Sequence, residues 1–101
     1  MAEQHSNVKP PLASLSPAFL CEMASVAEFG DQKYGRGDWL LRASSVEGLL
    51  SAMLRHALAI VRGEDADAES GLSHAAHVAF RAMMVYETLR RSGEDDRRWK
   101  K

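Results

Sequence analysis

The sequence predicts an all-α fold: three main helices per chain behind an extended N-terminal arm, forming a helical bundle on oligomerisation. Three observations lead there. Apolar residues recur at helical spacing over 46–61 and 71–91. Capping residues and glycines bracket these segments. Nowhere do β-branched residues alternate with polar ones over several positions, as a strand would require.

The arm, residues 1–15, holds Pro10, Pro11 and scattered serines without periodicity, so it is expected to be extended and not helical. Helix 1 opens at Ser16-Pro17, where an N-cap residue precedes a proline whose missing N–H costs nothing in the first turn. Gly30 is the expected stop, giving a helix from about Pro17 to Phe29. The stretch from Gly30 to Arg42 mixes three glycines with Lys33, Tyr34, Asp38 and Trp39 and reads as a structured loop with aromatic anchors. Helix 2 begins with the capping-box pattern Ser44-Ser45-Val46-Glu47 and ends before Gly63. Its apolar set, Val46, Leu49, Leu50, Met53, Leu54, Ala57, Leu58 and Val61, follows the i, i+3, i+4, i+7 rule throughout. Helix 3 runs from a Ser70-Gly71 start signal to Arg91, before Gly93.

Most of the surface of helix 3 is apolar, including Phe80, Met83, Met84 and Tyr86. Two partner helices hardly cover such an element, and an exposed stripe of that size is unusual for a monomer. The expectation is a homodimer or larger even oligomer with helix 3 near the shared core, disrupted together with folding by Phe80→Glu or Met84→Glu.

The chain of 101 residues is 46% hydrophobic and 27% charged with a net charge of -1, which fits one domain, 16–93, followed by a charged tail, 94–101. Near-neutrality argues against nucleic acid as a partner, since a nucleic-acid footprint needs a marked basic excess. The basic cluster Arg97, Arg98, Lys100 and Lys101 follows Glu94-Asp95-Asp96 and reads as a solvated terminus. Arg55, His56 and Arg62 interrupt the best apolar run, so no membrane span is expected. Cys21 is the sole cysteine and the opening residues are polar, which points to a reducing cytoplasm.

The interruptions in the apolar surface of helix 3, His74, His77, Arg81 and Thr88, share one stripe. Two histidines three residues apart sit about 5–6 Å apart at Cβ, close enough to share a metal ion or a phosphate. The alternative is a solvent-facing stripe. Just before it lies the acidic run 64–69, from which Asp65, Asp67 and Glu69 can reach the same place and make a divalent-metal site. An EF-hand is excluded because the required central glycine comes too late. His56 on helix 2 and Glu22 on helix 1 hold edge-of-core positions on separate helices, as a site inside a bundle requires. Lys33, Arg36, Arg42, Arg55 and Arg62 are candidate phosphate contacts, and Tyr34 or Trp39 offers a ring to a base. Cys21 has no cationic neighbours to activate it, and neither a nucleophile elbow nor a phosphate-cradling glycine motif is present.

Taken in order, these residues form a pattern: Lys9-Pro10, Leu12, Pro17, Glu22, Phe29-Gly30, Lys33-Tyr34-Gly35, Asp38-Trp39, Arg55-His56, Gly63-Glu64-Asp65, Asp67, Glu69-Ser70-Gly71-Leu72, His74 and His77. From about Lys9 to Glu87 the chain resembles the phage and bacterial family named for the dATP/dGTP diphosphohydrolase N-terminal domain. The resemblance implies a helical, oligomeric enzyme of a bacterial cell or phage-infected host, dependent on a divalent metal, Mg²⁺ or Mn²⁺. Its substrates would be purine deoxynucleoside triphosphates, cleaved to monophosphate and pyrophosphate. The family is related to the all-α MazG-like pyrophosphohydrolases. Their Glu-Glu-x-x-Glu helix with its following Glu-x-x-Asp is absent; His74-x-x-His77 has the second motif's spacing with different side chains. On this reading Glu22, Asp65, Asp67 and Glu69 bind metal or activate water, and His56, His74 and His77 are ligands or phosphate contacts. Glu22, Asp67, Glu69 and His77 form the catalytic set, Lys33 and Arg55 bind phosphate, and Tyr34 or Trp39 packs on the base. The alternative is a non-catalytic helical binding protein that engages a host protein or sequesters a nucleotide.

Overall fold

The computed structural model describes residues 9–37 and 45–91. They form three α-helices: α1 (Pro17–Tyr34), α2 (Val46–Val61) and α3 (His74–Arg91), after a short 3-10 turn at Leu12–Ser14. The described part of the arm is therefore coiled into one tight turn, although none of it is buried. No helix among the described residues is long and apolar enough to cross a membrane.

The helices form where the periodicity places them, but their ends differ from expectation. At the start of α1 the Ser16 hydroxyl accepts the Phe19 N–H at 3.1 Å, with Pro17 at the first position. Gly30 does not stop α1, which continues for another turn to Tyr34. A glycine inside a helix costs only about 1 kcal/mol relative to alanine. Beyond it the Gly35 N–H bonds the Asp31 carbonyl at 2.8 Å, and the Asp31 carboxylate accepts the Gly37 N–H at 2.9 Å. Gly35, at φ 110°, ends the helix instead. On α2 the N-cap is Ser45, whose hydroxyl accepts the Gly48 N–H at 3.0 Å. Glu47 is thereby in the first turn at the positive end of the helix, not at the third position the capping box anticipated.

The core is small, and α3 is central to it. Ala76, Phe80 and Met84 of α3 meet Leu49 of α2 and Val26 of α1, with Met23, Ala27, Leu72, Met83 and Val85 packed around them. Val46 is fully buried at the start of α2. Phe80 and Met84, expected at a subunit interface, are 7% exposed within the single chain. The reason is that α1 and α2 both lie on α3, so its apolar face is covered without a second copy. Among the described residues the exposed large apolar side chains lie elsewhere: Leu12 and Leu15 in the arm, Phe19, Leu20 and Tyr34 on α1, Leu54, Leu58, Ile60 and Val61 on α2, and Tyr86 toward the end of α3.

Candidate functional site

The site begins where α2 ends. Glu64 N–H bonds the Ala59 carbonyl at 2.9 Å and Gly63 N–H bonds the Ile60 carbonyl at 2.8 Å. These two bonds and the left-handed Gly63, at φ 93°, make the Schellman arrangement that reverses the chain after a helix. The connection to α3 then folds on itself. Ala66 and Ser73 form an isolated antiparallel bridge, Asp67 N–H bonds the Leu72 carbonyl and Gly71 N–H bonds the Asp67 carbonyl, each at 2.8 Å. Ser70-Gly71 is a turn within this loop, and α3 starts at His74 with the Ser73 hydroxyl accepting the Ala76 N–H at 3.0 Å. The helix starts later than expected because Ser70 and Gly71 are spent on the turn.

This clamp aims three imidazoles at one another. His56 and His77 stack with ring centroids 4.4 Å apart and 9° between planes. The Nδ1 atoms of His56 and His74 are 2.8 Å apart, so one donates to the other and the two share a proton. His74 and His77 are each 5% exposed, so the polar stripe of α3 faces inward toward α2 and not toward solvent. The Ser70 hydroxyl lies 2.8 Å from His77 Nε2 and accepts the Leu72 N–H at 3.1 Å. Which of the two donates is set by the His77 tautomer.

Burial holds the His56 and His77 imidazoles neutral. Desolvation first, then His77 and His74, pushes His56 down to about 4. His77 is also lowered by burial, against the opposing pull of Asp67. Burial raises Asp67, but the backbone N–H and side chain of Ser70, with His77 and His56, bring it net below the ordinary carboxylate range. A carboxylate ionised at neutral pH therefore faces neutral imidazoles.

Beside the cluster opens a pocket of about 270 Å³ between the second half of α1, the loop and α3. Lys33, Tyr34, His56, Asp67, Glu69, His77 and Arg81 line its polar part, and Val26, Phe29, Phe80 and Met84 its apolar part. Lys33 Nζ is 2.7 Å from the Glu69 carboxylate and 5.2 Å from the Tyr34 ring centroid. The Glu69 bond and the Tyr34 side chain raise the lysine's pKa.

Thus six of the residues selected from sequence, Lys33, Tyr34, His56, Asp67, Glu69 and His77, meet at one pocket, and His74 joins them through His56. Three others among the described residues do not line it. Glu22 accepts the Ser73 N–H at 2.9 Å, tying α1 to the loop. Asp65 is exposed and gives its carbonyl to the His74 N–H at 2.8 Å. Arg55 is exposed on α2, and Trp39 lies outside the described residues. Ser70, Glu64 and Arg81 were not assigned roles from sequence. Ser70 reads locally as a helix start, and Glu64, 3.6 Å from His74 Nε2, comes near it only through the Schellman turn.

Fold and site together define a small all-α domain that gathers histidines and carboxylates beside a cation-lined pocket. The motif order pointed to a family, and that family is found. The chain belongs to the family described as dATP/dGTP diphosphohydrolase, N-terminal, which matches residues 2–98. It is 44% identical over 92 residues to a curated protein of Salmonella phage PMBT28 named dATP/dGTP diphosphohydrolase, an alignment covering 90% of this chain and 31% of that protein. The chain thus spans about a third of that relative's length. No solved structure matches it.

Proposed function

We propose that this chain binds a purine deoxynucleoside triphosphate and, with a divalent metal, hydrolyses it between the α- and β-phosphates to the monophosphate and pyrophosphate. The observation that carries this reading is the convergence of Lys33 and Arg81 with Asp67, Glu69 and His77 on one pocket, in a chain of this family. Lys33, released from Glu69, takes a phosphate, and the exposed Tyr34 ring packs on the base. The pocket's volume of about 270 Å³ is near the low end of ligand sites, roughly 300–1,000 Å³, so the nucleotide extends past its mouth. His77, which lines the pocket and lies outside the metal-donor set, is the group able to take a proton from water as its oxygen attacks the α-phosphorus. The bond to the bridging oxygen breaks and pyrophosphate leaves. A bound divalent ion supplies neutralisation of phosphate charge and a more acidic water. The two imidazoles and the ionised carboxylate present in the cluster are donors that suit such an ion.

The test is incubation of the purified protein with each deoxynucleoside triphosphate and Mg²⁺, Mn²⁺ or Zn²⁺. Pyrophosphate release from dATP or dGTP, lost in His77→Ala, supports hydrolysis; no release from any nucleotide refutes it. A second reading is favoured by the missing Glu-Glu-x-x-Glu helix: a nucleotide held without turnover. Calorimetric binding without release selects it. For self-association, the support is now the exposed row Leu54, Leu58 and Val61 on α2, which a second copy would cover in a homodimer.

A further inference from the structure

We infer that His56, His74 and Asp67 form a site for one divalent transition ion of the zinc type, with Glu64 as the outer partner of His74. This deepens the functional reading by naming the metal class and reducing the ligand set to three residues. One nitrogen or oxygen atom from each lies within 4.8 Å of those of the other two. Ligands about 2.0–2.2 Å from zinc lie roughly 3.3 Å apart in a tetrahedral site, so closure needs shifts on the order of 1 Å. The two Nδ1 atoms, 2.8 Å apart, have only to separate slightly.

The chemistry of the donors selects the ion. Imidazole suits zinc, iron, nickel and copper, whereas magnesium takes oxygen ligands and keeps most of its water. Two histidines and one carboxylate also form the three-ligand set that leaves a position open in catalytic zinc sites. His56 and Asp67 line the pocket, so that position opens toward the ligand space.

A second observation is independent of the cluster's composition. His74 Nε2 is buried and has no hydrogen-bond partner, yet it lies 3.6 Å from the Glu64 carboxylate. Were Nδ1 to bind an ion, the ring proton would sit on Nε2, facing that carboxylate. A carboxylate behind a metal-bound histidine fixes its tautomer and orientation. Asp67 is steadied in the same manner, since one of its oxygens accepts the Ser70 N–H at 2.8 Å. His77, stacked on His56 and bonded to Ser70, holds the His56 ring in place and is not itself a ligand.

The experiment is calorimetric titration of the full chain, freed of metal with EDTA and dialysed, with Zn²⁺ and separately with Mg²⁺, in the absence of nucleotide. Thermal melting is followed in parallel. One Zn²⁺ per chain is expected, at least tenfold tighter than Mg²⁺, with a raised melting midpoint. Asp67→Asn and His74→Gln, each shown to be folded by circular dichroism, weaken Zn²⁺ binding at least tenfold. Glu64→Gln, an exposed position, weakens it about tenfold. Absence of stoichiometric Zn²⁺ binding, equal affinity for Mg²⁺, or undiminished binding in folded Asp67→Asn overturns the assignment. Because nucleotide is left out, failure here leaves the turnover test standing. Zn²⁺ binding without pyrophosphate release would refute hydrolysis and leave the site intact.

Discussion

Acidification of the metal-free protein tests the histidine cluster directly. His56 falls from an ordinary 6.5 to about 4 in the fold, because its ring is partly buried against His77 and His74. The folded chain therefore holds this imidazole neutral over a range in which the unfolded chain protonates it. Above pH 6.5 both states are neutral and the stabilisation is fully present. As pH falls, the unfolded state gains its proton first, and stability declines until the folded ring also protonates near 4. A difference of roughly 2.5 pH units at ~1.36 kcal/mol each sets a ceiling of about 3 kcal/mol. Solvent reaches part of the ring, so about 1–2 kcal/mol is expected after screening. The assay is urea unfolding by circular dichroism from pH 7.5 to 4 in EDTA, for the wild type and for His56→Gln. Subtracting the two curves removes the other titrating groups common to both. The stability advantage of the wild type should shrink by about 1–2 kcal/mol between pH 7 and 4. A pH-independent difference would show that His56 titrates normally and that the cluster does not exclude its charge.

Three further perturbations read other parts of the structure. Gly30→Ala should raise stability by about 0.5–1 kcal/mol, because a β-carbon there meets nothing within 4 Å and the residue is mid-helix; a loss in urea unfolding would contradict the continuous α1. Leu49→Ala, 5% exposed and touching the α3 core, should cost about 2–4 kcal/mol, and a midpoint within error of the wild type would mean that α2 is not docked there. Leu58→Glu should abolish self-association in sedimentation equilibrium while the melting of the isolated chain changes little; a wild-type monomer at micromolar concentration removes the proposed homodimer altogether.

The middles of the helices were legible because each buries one face, and a buried face imposes a 3.6-residue period on its apolar residues. Their ends were not. Gly30 carries a stop signal whose cost is smaller than the bonds gained by one more turn, and Ser70-Gly71 carries a start signal that the loop uses for a tight reversal. The His74/His77 pair was visible from its spacing, but spacing alone does not tell an inward stripe from an outward one. That depended on where α2 lies. Arg55 shows the same limit from another side: adjacent residues on a helix are about 100° apart, so His56 turns inward while Arg55 faces water. Glu64 and Ser70 reach the histidines through turns and through tertiary docking, which no local period records.

The bond from Glu22 to the Ser73 backbone has a consequence for how this molecule opens. Helix α1 contributes one buried core residue, Val26, and its Glu22 carboxylate is bonded to the loop that shapes the histidine cluster. Loosening α1 releases an N–H at the threshold of α3, removes one wall of the pocket and separates Lys33 from Glu69 in a single event. In hydrogen exchange, the amides of Ser73 and of the 64–73 loop should then share the opening free energy of α1, below that of the α2–α3 pair. The expected outcome is that the ligand-facing half of the domain exchanges as one cooperative unit.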